Sequence, residues 1–92
     1  MNPFMVVCTF KDGLEMPEIM AIAPQERDAA KTLQDAGKLG AIRLATPNRK
    51  VFLEVFATDA AEAEATVTGL PMGPLWNLEI YPIVQPAQIL GE

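Results

Sequence analysis

A chain of 92 residues with a formal charge of −5 is long enough for one domain, residues 1–92, but at this size folding buries only roughly 60 to 70% of the surface of the unfolded chain, so association with partners would add much. Half of the residues are hydrophobic, too many for a disordered chain, and no apolar run approaches the roughly 20 residues that span a bilayer. The acidic balance without clustered Lys and Arg excludes nucleic acid as a partner, and the absence of His removes the usual metal ligand and the usual acid or base near neutral pH, leaving proton chemistry to carboxylates, Lys, Tyr or Cys.

Phe4 to Phe10 is apolar on both faces, with Phe4, Val6, Cys8 and Phe10 on one side and Met5 and Val7 on the other. That pattern predicts an interior strand covered twice, rather than a secretory leader, and the expected location is cytoplasmic. Cys8 is expected to be an inert core thiol. Lys11-Asp12-Gly13 predicts a turn, and Pro17 suits the first turn of a helix, with Glu15 and Glu18 near its positive end. Ile19, Ile22, Ala23, Glu26, Ala30, Leu33 and Gly37 then recur at steps of three and four, one face of that helix, while Arg27, Asp28, Lys31 and Asp35 fall on the other. Pro24 predicts a kink or a fresh helical start, and Gly37 with Lys38 predicts the end.

Glu26 is the one carboxylate on this apolar stripe. Aimed at a core, it must be protonated, paired or used, because burying an isolated charge costs several kcal/mol. Three readings stand side by side: proton transfer, an ion pair with a neighbour such as Arg43, or an escape to solvent around Pro24.

Gly40 to Ala45 and Val51 to Phe56 predict a hairpin turning at Pro47-Asn48. Arg43 shares its strand face with the small Ala41 and Ala45, which leaves its guanidinium room for an anionic ligand or for solvent. Lys38 is a dipole charge or a ligand contact. Asp59 and Glu62 stand at capping-box spacing before an alanine-rich helix that carries Ala63 and Val67 inward and stops at Gly69. Trp76 to Ile83 alternates, with Trp76, Leu78 and Ile80 on one face, which predicts a half-covered last strand; Trp76 itself is a core, interface or pocket residue. The loop from Gly69 to Pro74 reads first as a turn whose backbone can border a pocket. The order β-α-β-β-α-β is the ferredoxin-like unit of the α+β class. Residues 85–92 form a tail whose Ile89 and Leu90 suit docking on a neighbouring subunit.

Met16-Pro17, Leu33-Gln34 followed by Gly37-Lys38, Arg43, Gly69-Leu70-Pro71 with Pro74, and the closing Glu79-Ile80-Tyr81-Pro82 resemble, in order and approximate spacing, the muconolactone delta-isomerase family. The resemblance implies a ferredoxin-like subunit pairing into a dimeric α+β barrel, assembly into ten-subunit particles, and a cofactor-free proton shift in an unsaturated lactone of aromatic catabolism, with Glu26 as the acid and base. Leu39-Gly40-Ala41-Ile42 stands where family members often carry aromatics and a His, and Ala29-Ala30 where an aromatic follows the acid. These changes imply a wider, less polar pocket and a different lactone or another unsaturated carbonyl compound.

Such an isomerisation needs one group that removes a proton from one carbon and returns it to another, and donors for charge developing on oxygen. Glu26 is the expected catalytic residue, with Arg43, Lys38 and Trp76 as substrate contacts and no metal or cofactor. The alternative is a non-catalytic module that holds a small ligand, or serves assembly, on the same barrel; a cofactor-free oxygenase is a third reading, disfavoured by the missing His.

Overall fold

The computed structural model describes residues 1–84; the expectations for the tail, including Ile89 and Leu90, lie outside the described residues. Six main elements follow one another: β1 (Asn2–Phe10), α1 (Met16–Asp35), β2 (Leu39–Ala45), β3 (Lys50–Ala57), α2 (Ala60–Thr68) and β4 (Trp76–Pro82). The strands form one sheet in the order β2-β3-β1-β4, and every neighbouring pair is antiparallel. This is the α+β, ferredoxin-like arrangement. β1 lies inside the sheet, as its two apolar faces require.

Period-2 alternation sorts each strand. Val6 and Cys8 of β1, Leu53 and Val55 of β3, and Trp76 of β4 point to the helix side and are buried there with Ala63 and Val67 of α2. On the other side lie Met5, Val7, Phe52 and Phe56, all only half-buried, because no helix covers that face among the described residues.

Helix α1 runs unbroken through Pro24, so the fresh start expected there does not occur. Pro24 and Met20 are both exposed, a setting in which a missing backbone bond costs less than in a core. The helix ends in a Schellman motif: Lys38 N–H donates to the Leu33 carbonyl at 2.9 Å and Gly37 N–H to that of Gln34 at 3.0 Å, with Gly37 left-handed at φ 76. Gly37 thus terminates the stripe in solvent rather than extending it into the core. The hairpin turns through one 3-10 turn at Thr46–Asn48, and a register shift between Leu39 and Ile42 brings Ile42 to the helix side while Arg43 pairs with Phe52 on the open face.

Helix α2 is capped by Asp59, whose Oδ1 accepts from Glu62 N–H at 2.9 Å. The return half of the expected box is displaced by one residue, since Glu62 accepts from both the backbone N–H and the hydroxyl of Thr58. Beyond Gly69 the chain folds tightly: Gly73 N–H donates to the Leu70 carbonyl at 2.8 Å and Leu75 N–H to that of Met72 at 2.8 Å. A Cβ on Gly73 would sit 2.5 Å from the Thr68 carbonyl oxygen, so this close approach of loop to helix requires glycine.

Candidate active site

The stripe on α1 faces the sheet, with Ile19 and Ala30 buried and Ile22, Ala23, Glu26 and Leu33 half-buried. Small residues at Ala23 and Ala30 hold the helix close to the sheet without filling the space beside it. A cavity of about 300 Å³ remains, bordered by Glu26, Arg27, Leu39, Leu53, Met72 and Trp76.

Glu26 is fixed there by a contact far away in sequence. Its Oε1 accepts the Met72 N–H at 2.8 Å, an amide presented by the tightly folded loop after α2. The second oxygen, Oε2, has no hydrogen-bond partner among the described residues. The sole ion pair among them is Lys31–Asp35 at 3.4 Å on the exposed face of α1, so Glu26 has no cation to neutralise it, and the paired reading fails. Burial raises the Glu26 pKa above the ordinary 4.5, opposed by the Met72 hydrogen bond, which favours the charged form. Desolvation is the larger effect. Oε1 is therefore anchored while Oε2 is left to exchange a proton, and the group is a stronger base than a solvated glutamate.

Of the four residues singled out from the sequence, the structure brings two together: Glu26 and Trp76 border the same cavity. The Trp76 indole packs edge-on to Phe10, with ring centroids 5.9 Å apart, and its Nε1–H is buried without an acceptor among the described residues. Arg43 lies on the helix-free face, exposed, with Nη1 donating to the Ile42 carbonyl at 3.1 Å. Alternation across β2 is what separates it from Glu26. Lys38 is exposed and takes part through its backbone, accepting from Phe56 N–H and donating to Leu33; its side chain does not border the cavity.

Two participants escape a reading of the sequence. Arg27 borders the cavity beside Glu26, although helical spacing assigns it to the polar side. The Met72 amide leaves no trace in side-chain chemistry, and the nearest signal is the Gly69-Leu70-Pro71 punctuation that forces a tight loop. Cys8 is fully buried, and its thiol is pushed up to about 12 by burial and, secondarily, by the charge of Glu26. That makes it inert. Among the described residues no group of three or more His, Cys, Asp or Glu side chains is placed to hold a metal ion, and no helix is long and apolar enough to cross a membrane.

A ferredoxin-like α+β domain with a hydrogen-bonded carboxylate beside an apolar cavity is the class that fold and site define. Among solved structures the chain is similar to muconolactone isomerase, known from a crystal structure at 3.3 Å resolution, with a TM-score of 0.71 and 16% sequence identity over 92% of each chain. Identity this low carries the likeness to the fold alone. No protein-family model matches the chain, and no curated protein matches it in sequence.

Proposed function

We propose that this protein is a cofactor-free isomerase that moves a carbon–carbon double bond into conjugation with a carbonyl group, acting on an unsaturated lactone or a related carbonyl compound through Glu26. The observation that carries the reading is the anchored, ion-pair-free carboxylate of Glu26 at an apolar cavity, in a fold similar to that of an isomerase.

The chemistry balances on one group. Glu26 Oε2 takes a proton from the carbon between the carbonyl and the double bond; the C–H electron pair becomes a new C=C bond, and charge moves to the carbonyl oxygen. The same carboxylic acid then protonates the far carbon, which gives the conjugated product and restores the carboxylate. Developing charge on oxygen needs a donor or a cation. Arg27 and Trp76 border the cavity, and Arg27 is the residue proposed to meet that charge; Arg43 and Lys38, lying elsewhere, are given no part.

The open sheet face, with Met5, Val7, Phe52 and Phe56 half-buried, supports packing of two copies sheet to sheet, the dimeric α+β barrel, as the building block of a larger homo-oligomer.

The test uses 5-methyl-2(3H)-furanone, a β,γ-unsaturated lactone whose conversion to the conjugated isomer is followed in the ultraviolet. Isomerisation that collapses in Glu26→Gln supports the reading. Binding of the saturated lactone with no turnover by the native protein would replace it with the non-catalytic binding module.

A further inference from the structure

The cavity at Glu26 is not isolated. A second cavity of about 260 Å³ adjoins it along the first half of α1, bordered by Phe10, Met16, Ile19, Met20 and Leu44, and the two share Ala23, Leu44, Val51 and Met72. Ala23, the smallest of the shared residues, borders both cavities.

The two compartments differ in chemistry. The first is bordered by Glu26, Arg27 and Trp76. The second is walled by aliphatic, thioether and aromatic side chains. Arg49 and Lys50 also border it: Arg49 Nη2 donates to the Lys11 and Leu14 carbonyls at 3.2 and 3.3 Å, and Lys50 Nζ turns to the other sheet face, donating to the Thr9 hydroxyl at 2.7 Å. Met16, Met20 and Leu44 are 55, 58 and 70% exposed, large apolar side chains kept at the mouth of the cavity rather than in the core. Methionines at such a place adapt to flexible apolar ligands.

Size decides what fits. At about 30 Å³ per water molecule, the compartment at Glu26 has room for roughly ten waters, enough for the ring of a compact lactone, and the second compartment lies beside it. We infer that the substrate carries an apolar tail, its carbonyl head at Glu26 and an alkyl chain lying through the Ala23 junction against Phe10, Met16, Met20 and Leu44. This rests on the isomerase reading for the chemistry of the head; the tail compartment itself stands on its lining and its continuity with the cavity at Glu26.

The experiment uses two series with the full chain: saturated γ-alkyl-γ-butyrolactones from methyl to octyl, for Kd by calorimetry, and the matching 5-alkyl-2(3H)-furanones, for kcat/KM. Each methylene that enters the compartment should tighten binding about fourfold, on the order of 10² from methyl to pentyl, followed by a plateau. Met20→Trp, at an exposed helix position that tolerates the change, fills the compartment and should flatten the dependence; Leu44→Lys should do the same by charging its mouth. A Kd independent of chain length overturns the tail site while Glu26-dependent turnover, if present, leaves the isomerase reading intact. Chain-length-dependent binding without Glu26-dependent turnover keeps the tail site and removes the isomerase. A dependence that emerges only after deletion of residues 85–92 overturns the inference in another way, by making the chain's own end the occupant.

Discussion

Glu26 joins two properties that seldom coexist: it is desolvated, which favours its neutral form, and it is tied by the Met72 amide, which favours its charged form. Glu26→Gln keeps an oxygen for the Met72 N–H but no base, so turnover should fall by about 10² to 10⁴ with lactone binding retained. The pH–rate profile of the native protein should rise through a midpoint above 4.5, the ordinary value, because the base works deprotonated. Stability moves the opposite way. The folded protein holds this proton more tightly than the unfolded chain does, so the contribution of Glu26 is fully present below 4.5 and is lost as pH rises through the raised folded value. The amide introduced by Glu26→Gln is neutral throughout, so the variant should melt above the native protein at pH 7, and the gap should close below pH 4.5 in thermal scans. Cys8 offers a second check on burial. With its thiol at about 12, roughly one molecule in 10⁴ is thiolate at pH 8, and a thiol reagent should label it only after unfolding.

The loop between α2 and β4 is the element that aims the acid. Gly73 packs on the Thr68 backbone, and Gly73→Ala should cost about 1–3 kcal/mol through the steric conflict, read as a lower denaturation midpoint. Because the displaced segment presents the Met72 amide, the same variant should also raise the midpoint of the pH–rate profile, since the contact that stabilises the carboxylate weakens. Loss of stability without movement of that midpoint would mean that the loop does not set the acid's state. By contrast, Asp59→Ala removes the α2 cap, with an expected cost of about 0.5–2 kcal/mol and an unchanged pH profile, because the cap lies at the other end of the helix.

At the scale of the whole molecule, the described residues leave the sheet with one face covered by helices and one open. Met5, Val7, Phe52 and Phe56 bring apolar surface to that open face, alongside Arg43, Lys50, Glu54 and Glu79. In the proposed dimer this patch is the surface that meets the second copy. Light scattering across dilution should therefore give a dimer or a multiple of it, and Phe52→Glu, which adds a charge at the centre of the patch, should shift the population to monomer while far-ultraviolet circular dichroism keeps its native shape. A native protein that stays monomeric at micromolar concentration would defeat the dimer.

The strands and both helices are legible in the residues because they follow local rules: the continuous apolar run of β1, the alternation of β4, the Asp59 cap, Gly37 as a left-handed stop. Glu26 stands out for the same reason, a charge where a period of 3.6 places apolar neighbours. Sequence spacing cannot say what surrounds that charge. The Met72 amide lies 46 residues away and carries no side-chain signature, and whether Arg43 meets Glu26 depends on a sheet face that the register shift in β2 settles. Pro24 leaves a kink or a fresh start open in the sequence, and α1 runs through it without the fresh start. Local periodicity thus determined the elements and the candidate acid by itself. The hydrogen bond that anchors the acid, the cavity beside it and the separation of Arg43 from both were decided only by the tertiary structure, because each is a relation between segments that are brought together only when the helix closes over the sheet.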